Sequence, residues 1–186
     1  MSRLSEILRS HPATDPDPEL PEGTPAAVLV PVIDLDPPTI IFTKRTQTVR
    51  DHKGEISFPG GVRHGEDPNL LTTALRETEE ELGIPADAVE VLGNLTAVQT
   101  FVSGYVIAPF VGLFAESPPL IPSPIEIGEV IELEMGKMLA AEREVPVPGA
   151  PHATMWVCEV DGHVVWGATA RILHELLEMV REGGWS

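Results

Sequence analysis

Proline and glycine interrupt this chain so often that only short helices and strands fit between its turns. Its 186 residues include 19 prolines and 16 glycines, the two residue types that most strongly punctuate regular structure. Hydrophobic residues still make up 42% of the sequence, which is ample for a packed core and excludes wholesale disorder. The length fits one domain, or one domain with an added tail.

Apolar segments separated by turn signals predict the order of the strands. Two β-branched, apolar runs at residues 26–33 and 39–43 flank a turn rich in Asp and Pro, which predicts a β-hairpin. A charged loop is expected at residues 44–61. Further strands are predicted at residues 89–95, 106–114, 155–160 and 163–166. Trp156 and Trp166 belong to the last two of these strands, where core packing is expected.

The clearest helix lies between Asp67 and Gly83. Asp67 is expected to cap its N-terminus, Pro68 to take its first position and Gly83 to end it. Its buried face is predicted to consist of Leu71, Leu75, Thr78 and Leu82. Other helices are predicted at residues 1–10, 135–142 and 168–181.

The order of these elements predicts an α+β fold, an α/β/α sandwich with a mixed central β-sheet flanked by helices. Residues 11–23 are rich in prolines and acids, which is typical of an extended segment. We therefore expect two parts. Residues 1–22 would form an N-terminal helix and arm, and residues 23–186 would form one domain.

The overall charge of the chain is strongly negative. The sequence has 29 acidic and 12 basic side chains, a formal net charge of −17, which disfavours binding to nucleic acids and to anionic membranes. Residues 44–63 depart from this average, because they carry five of the basic side chains and two acidic ones. This local surplus of cations favours a small phosphorylated ligand as the partner.

Cellular location and redox chemistry are only loosely constrained. Cys158 is the single cysteine, so no disulfide can form within the chain. No apolar run approaches the roughly 18 residues of a membrane span. The first ten residues carry charges throughout and lack the uninterrupted apolar stretch of a signal peptide. A cytoplasmic location is the expectation.

Three carboxylates are predicted to share one side of the central helix. Glu77, Glu80 and Glu81 are spaced at i, i+3 and i+4, and like charges at this spacing repel one another. A bound divalent cation such as Mg²⁺ or Mn²⁺ would compensate, because it takes oxygen ligands and bridges to substrate phosphates. Arg76 is placed to hold and orient one carboxylate.

An acidic helix face alone is more often merely solvated than functional. Here Phe58, Pro59, Gly60 and Gly61 end a strand-like stretch a short distance before the helix. Glycine carbonyls and amides can approach a metal ion or a phosphate closely. The combination favours a metal and phosphate site over a solvated face.

These residues resemble the Nudix box, a known family signature. The matching residues are Gly61, Asp67, Arg76, Glu77, Glu80, Glu81, Gly83 and Ile84. The chain departs from the usual box in three ways: Asp67 replaces a Glu, eight residues rather than seven separate it from Arg76, and Thr78 replaces an apolar residue. The first two departures resemble the branch of the family that acts on coenzyme A.

The upstream sequence is also similar to the signature of that branch. Its pattern corresponds here to Ile41, Phe42, Thr43 and Arg45, then Arg50, Gly54 and the Phe-Pro-Gly-Gly segment at 58–61. Thr46 stands where Ser or Ala is more usual. The likeness at the level of the fold extends from about residue 23 to 181, and the segment 166–169, Trp-Gly-Ala-Thr, is also Nudix-like.

The resemblance implies a metal-dependent hydrolase that cleaves the diphosphate of coenzyme A to 4′-phosphopantetheine and adenosine 3′,5′-bisphosphate. By position, Glu77, Glu80 and Glu81 would bind Mg²⁺ or Mn²⁺, together with the backbone carbonyl of Gly61. Arg76 would orient Glu77. Bound metal would neutralise charge on the phosphoryl oxygens and make water nucleophilic at neutral pH.

The resemblance also implies a set of substrate-binding residues, and it leaves the general base open. The substrate would be bound by Arg45, Arg50, Lys53, Gly54 and Gly60. Glu80 is one candidate for the base. Glu126 is the best-placed acid outside the box, with Glu129 as the alternative to it.

Two other functions stay open on the sequence. The box would equally serve hydrolysis of another nucleoside diphosphate derivative, such as ADP-ribose or a dinucleotide. A non-catalytic nucleotide-binding module has no need of the repelling pair Glu80 and Glu81, which argues against it. The sequence leaves the oligomeric state open, a homodimer included.

Overall fold

A computed structural model describes residues 2–10, 14–46, 55–100 and 103–185. In chain order its elements are helix α1 (Arg3–Arg9), strands β1 (Thr24–Ile33), β2 (Thr39–Arg45), β3 (Ile56–Ser57) and β4 (Gly60–Val62), helix α2 (Leu70–Leu82), strands β5 (Glu90–Asn94), β6 (Val98–Gln99), β7 (Tyr105–Phe114) and β8 (Ile127–Glu134), helix α3 (Met135–Ala141), strands β9 (Glu142–Val147), β10 (Ala150–Val160) and β11 (His163–Trp166), and helix α4 (Gly167–Glu182). A 3₁₀ turn spans Ala86–Ala88. None of the described helices is long and apolar enough to cross a membrane.

The central sheet is mixed. Strand β1 runs parallel to β7 over its whole length and antiparallel to β2 and β4 on its other edge. Strands β5 and β6 pair antiparallel with β7, and β3 and β8 pair antiparallel with β2. A second, antiparallel sheet has the order β11-β10-β9. The predicted α+β class with a mixed central sheet is confirmed.

Side chains alternate along β1 between two cores, one on each face of the sheet. Val30 and Val32 belong to a core shared with α1, α3 and α4. Leu29 and Ile33 belong to a core shared with α2. A strand covered on both faces needs a nearly continuous apolar run, which is what residues 26–33 provide.

Several strands were not foreseen. The hairpin of β1 and β2 was predicted correctly, with Val32 opposite Ile40. The predicted charged loop at residues 44–61 instead contains β3 and β4, which are only two and three residues long. Strand β8 was also missed because acidic side chains interrupt its apolar pattern. These strands form because an edge of β1 or β2 is available for pairing, which local sequence does not reveal.

Helix α2 begins two residues later than predicted. Its N-cap is Asn69, whose side chain accepts a hydrogen bond of 2.8 Å from the backbone N–H of Thr72. The prediction of Asp67 as cap and Pro68 as first residue was wrong, because the Asp67 carboxylate is engaged elsewhere. Gly83 ends the helix as predicted, in the left-handed conformation with φ of 72°.

The buried face of α2 differs from the predicted one. The fully buried residues are Leu70, Thr73, Ala74, Thr78, Glu81 and Leu82. Leu71 and Leu75 are only half-buried, at the margin of the core. The helix is therefore turned so that the side bearing Glu81 faces the sheet, and Glu81 is not on a solvated face.

The N-terminal residues pack onto the rest of the chain. In α1, Leu4 and Leu8 are buried in the core shared with α4. The following arm reaches the start of α2, where Asp17 accepts hydrogen bonds from the backbone N–H of Leu70 and from Arg63. The predicted helix is present, while the division at residue 22 stays a prediction.

Candidate active site

Two glycines let strand β4 lie close to its neighbours, Gly60 against β1 and Gly61 against Glu77 of helix α2. Gly60 and Gly61 pair with Val28 and Ala27 of β1. A Cβ atom on Gly60 would lie 2.3 Å from the carbonyl oxygen of Ala27, and one on Gly61 would lie 2.5 Å from the carboxylate carbon of Glu77. Glycine is therefore required at position 60, where the clash is with the backbone of β1, whereas a side chain at position 61 would displace the Glu77 carboxylate from its place beside β4.

The three predicted metal ligands differ in exposure. The Glu81 residue is 3% exposed, and its Oε2 accepts a hydrogen bond of 3.2 Å from the Gly60 N–H. The Glu77 side chain is 13% exposed and borders Gly61, whereas the Glu80 side chain is 54% exposed. Glu77 and Glu81 thus point toward the glycine strand, and Glu80 lies at the rim.

Burial has a large effect on the acidity of Glu81. Desolvation raises the pKa of this carboxyl to about 8, and the nearby carboxylates of Glu77 and Glu126 add to the effect. The Gly60 N–H and the Arg45 guanidinium act in the opposite direction without cancelling it. A buried carboxyl of this kind beside a second carboxylate and a close backbone is chemically suited to a hard divalent cation.

Arg76 holds the outer side of the site. Its Nε and Nη2 donate to the two oxygens of Asp67, each at 3.0 Å. Its Nη1 donates to Glu77 at 2.8 Å and to Glu80 at 3.3 Å. The expected contact between Arg76 and Glu77 is therefore present. Arg76 also engages Glu80, and the oxygens of Glu77, Glu80 and Glu81 do not all lie within 4.8 Å of one another.

Asp67 anchors Arg76 from a buried position. Its side chain is 5% exposed and also accepts hydrogen bonds from the His64 backbone N–H and from the Thr73 hydroxyl, each at 3.0 Å. The ion pair with Arg76 holds the pKa of this carboxyl well below its ordinary value. Asp67 therefore fixes the direction of the guanidinium that contacts Glu77.

The loop before β8 brings Glu126 to the site. The backbone N–H groups of Ile121 and Ser123 donate to the Leu82 and Glu81 carbonyls at the end of α2. Glu126 then forms an ion pair of 3.4 Å with Arg45. Glu129 instead pairs with Lys44 at 3.0 Å. Of the two acids proposed outside the box, Glu126 is the one whose charge acts on Glu81.

Arg45 has unused hydrogen-bonding capacity. Its Nε is buried and has no hydrogen-bond partner among the described residues. Buried polar atoms usually have a partner, so this donor fits a ligand group such as a phosphate oxygen. Arg50, Lys53 and Gly54, which were also predicted to bind substrate, lie outside the described residues.

A cavity of about 740 Å³ adjoins these groups. Arg45, Gly60, Gly61 and Glu77 all contribute to its lining. The rest comes in part from residues that the sequence did not indicate, among them Gln99, Thr100, Ser103, Tyr105 and Trp166. Gln99, Thr100, Ser103 and Tyr105 lie on or between strands β6 and β7 and are brought together by the pairing of these strands. No sequence motif predicts that pairing. Trp166 was expected in the core and is instead 49% exposed.

A second acidic cluster lies away from this cavity. Glu142, His174 and Glu178 bring one ligand atom each within 4.8 Å of one another. Arg181 pairs with both carboxylates, and His174 contacts Glu142 at 3.2 Å. An arginine already compensates the charge here, so the cluster is an ion-pair network that joins α4 to β9.

A family model for the NUDIX domain matches residues 23–135. The chain belongs to the Nudix family. It is 36% identical over 160 residues to the uncharacterized Nudix hydrolase NudL of Photorhabdus laumondii, covering 84% of each chain. It is 37% identical over 160 residues to the protein of the same name from Cronobacter sakazakii, covering 84% of this chain and 83% of that one.

Solved structures show the same fold at low sequence identity. A MutT/nudix family protein from Enterococcus faecalis has a TM-score of 0.60 at 15% identity, covering 98% of this chain and 75% of that one. A NUDIX hydrolase from Nitrosomonas europaea has a TM-score of 0.57 at 16% identity, covering 90% and 76%. The predicted Nudix-type sandwich is therefore confirmed.

Family membership defines the general chemistry of this Nudix protein. It is a hydrolase that acts on pyrophosphate bonds of nucleoside diphosphate derivatives. Nudix hydrolases generally use a divalent metal such as Mg²⁺ or Mn²⁺, and the carboxyls of Glu77 and Glu81 beside Gly61 are of the type that such ions bind.

Proposed function

We propose that this Nudix hydrolase cleaves the diphosphate of coenzyme A to 4′-phosphopantetheine and adenosine 3′,5′-bisphosphate. The observation that carries the proposal is the spacing of Arg45, Arg50, Gly54 and the segment 58–61, which matches the coenzyme A branch of the family. Arg45 supports it further, since this cation lines the same cavity as Gly61 and its buried Nε has no partner among the described residues.

In this proposal Mg²⁺ or Mn²⁺ would be held by Glu77, Glu80, Glu81 and the carbonyl of Gly61. Bound metal supplies charge neutralisation at the phosphoryl oxygens and acidifies a water molecule. For Glu80 to take part, its carboxylate must leave Arg76, which a 54% exposed side chain can do at little cost. Arg76 then keeps Glu77 oriented through its anchorage to Asp67.

The substrate diphosphate is bound by Arg45, with Arg50 and Lys53 as further cations and Gly54 and Gly60 as backbone contacts. Arg45 neutralises phosphate charge and also fixes Glu126 through their ion pair. A cytoplasmic location and a small-molecule partner remain the expectations. A nucleic-acid or membrane partner remains disfavoured, and a homodimer remains open.

Product identification tests the substrate assignment directly. The protein is incubated with Mg²⁺ or Mn²⁺ and, separately, coenzyme A, ADP-ribose, NADH and diadenosine polyphosphates. We expect coenzyme A to be hydrolysed fastest, with the two products named above. If coenzyme A stays intact while another compound is turned over quickly, the substrate is another nucleoside diphosphate derivative, which is the alternative compatible with the same box.

Glu126 is proposed as the general base because it is the acid outside the box that lies near Glu81. Replacing it with Gln is expected to lower kcat roughly 10²-fold, the usual lower bound for loss of a positioned base, with Mn²⁺ affinity nearly unchanged. Glu129→Gln is the matched control, since it removes an acid on the same segment that pairs with Lys44. Equal losses in both variants, or none in Glu126→Gln, would direct the assignment to Glu80.

A further inference from the structure

Trp166 leaves an unusually large apolar surface in solvent. It ends β11, where it pairs with Val157 of β10, and α4 begins at the next residue. The chain is therefore held in place both before and after Trp166, yet the residue is 49% exposed. Tryptophan carries the largest apolar surface of any side chain, and where it stays exposed it is enriched at binding interfaces.

Trp166 borders the candidate active site. It lines the same cavity of about 740 Å³ as Gly61 and Glu77. It also borders a smaller cavity of about 430 Å³ next to Lys44. Among the described residues, Trp156 already stacks on His174 at 3.7 Å, whereas no aromatic ring is stacked on Trp166.

The remaining lining of the large cavity is suited to a nucleoside. Gln99, Thr100, Ser103 and Tyr105 are neutral and polar. Some of their groups are already engaged, because Gln99 Nε2 donates to the Glu22 carbonyl and the Thr100 and Ser103 hydroxyls bond to each other. The side-chain carbonyl oxygen of Gln99 and the Tyr105 hydroxyl are of the type that bonds to base edges or ribose hydroxyls. Arg171 at the same end donates to the Gln99 carbonyl. Phosphate requires cations, which Arg45 supplies beside the glycines. At the Gln99 end the polar side chains named above are neutral, and the charged Arg171 is engaged with the backbone carbonyl of Gln99, so these side chains and the indole fit an uncharged base.

We propose that the indole of Trp166 is the surface on which the nucleobase of the substrate stacks. The inference rests on the proposed function only for the location of the reaction in this cavity. A purine is common to coenzyme A, ADP-ribose and dinucleotides, so the inference holds whichever of them is hydrolysed. Stacking uses the face of the ring and therefore tolerates different bases.

Binding of a product analogue tests this directly. Adenosine 3′,5′-bisphosphate is titrated against the protein with intrinsic tryptophan fluorescence as the signal. We expect quenching in the wild type and its loss in Trp166→Leu, with the dissociation constant raised roughly 10-fold, within the range for one base stacked on an aromatic residue. Trp185→Phe is the matched control and should quench as the wild type does.

Kinetics separate a stacking role from a structural one. In Trp166→Leu the KM for the hydrolysed substrate should rise roughly 10-fold while kcat changes little, because the base is remote from the bond that breaks. Trp166→Phe, which keeps an aromatic face, should recover most of the affinity. A fall in kcat with KM unchanged would overturn the proposal.

A measurement on the wild type keeps the test decisive if the Leu variant does not fold. Adenosine 3′,5′-bisphosphate should shield one tryptophan from acrylamide quenching, and 4′-phosphopantetheine should not. Shielding by 4′-phosphopantetheine alone would assign the indole to the other half of the substrate and overturn the inference. If coenzyme A is not hydrolysed but the nucleotide still shields Trp166, the substrate assignment fails while the stacking site stands.

Discussion

Replacing Glu81 with Gln is expected to lower kcat/KM by roughly 10³-fold, equivalent to the several kcal/mol that a bound metal contributes, while the protein stays folded. The amide retains the oxygen that accepts the Gly60 N–H. It also resembles the protonated acid that burial already favours, since the pKa of Glu81 is about 8. What the variant loses is the charge that a divalent cation requires.

Glu81→Gln is also expected to change how the free energy of unfolding depends on pH. Because the pKa of Glu81 is raised in the folded state, ionisation of this buried group destabilises the metal-free protein as pH rises from about 4.3, its value in an unfolded chain, toward 8. We expect Glu81→Gln to remove this pH-dependent loss. Mn²⁺ should raise the melting temperature of the wild type at pH 8 and not that of the variant.

The matched control for this experiment is Glu79→Gln. Glu79 is an exposed acid of the same helix turn, so its loss should leave kcat/KM and the response to Mn²⁺ close to wild type. Near-normal activity in Glu81→Gln would refute a metal-binding role for Glu81.

Asp67→Ala is expected to lower the free energy of unfolding by about 3 kcal/mol, the usual cost of removing one partner of a buried ion pair. For a chain of this length the melting temperature should fall by roughly 8 °C. Asp67 is buried and accepts from Arg76, His64 and Thr73, so its removal leaves several donors without a partner. Urea denaturation measures the change.

The difference in free energy of unfolding between the wild type and Asp67→Ala should depend on pH, and its direction follows from the pKa shift of Asp67. Arg76 holds the pKa of Asp67 below its ordinary value. The stabilisation by the ionised Asp67 carboxylate is therefore complete above about pH 3.9, the pKa of an Asp in the unfolded chain. It is lost as the pH falls below that value. The gap between wild type and Asp67→Ala should stay constant from pH 8 to 5 and narrow in acid.

Glu66→Ala provides the comparison for Asp67. Glu66 is exposed and adjacent in sequence, so its replacement should change the free energy of unfolding by no more than about 0.5 kcal/mol. A similar small effect for Asp67→Ala would show that the buried ion pair does not stabilise the turn before α2.

Periodic apolar patterns were sufficient to predict much of the fold. The runs that form β1 and β2 were recognised because strands covered on both faces are apolar throughout. The closing helix, predicted at residues 168–181, is confirmed as α4 (Gly167–Glu182). The short strands β3 and β4 carry too few residues for a pattern, and their pairing depends on an edge of β1 or β2 that is distant in sequence.

The sequence by itself determined which residues could form a metal and phosphate site, because the spacing of Glu77, Glu80 and Glu81 after two glycines is a local property of the chain. It could not determine their burial. Glu81 is buried because α2 packs beside β4, where the Gly60 N–H donates to its carboxylate, a contact between segments that are distant in sequence. The same holds for Trp166, whose apolar neighbours in sequence indicated a core residue. Only the packing of β11 and α4 beside the cavity left its indole exposed, since exposure depends on which surfaces meet and not on composition.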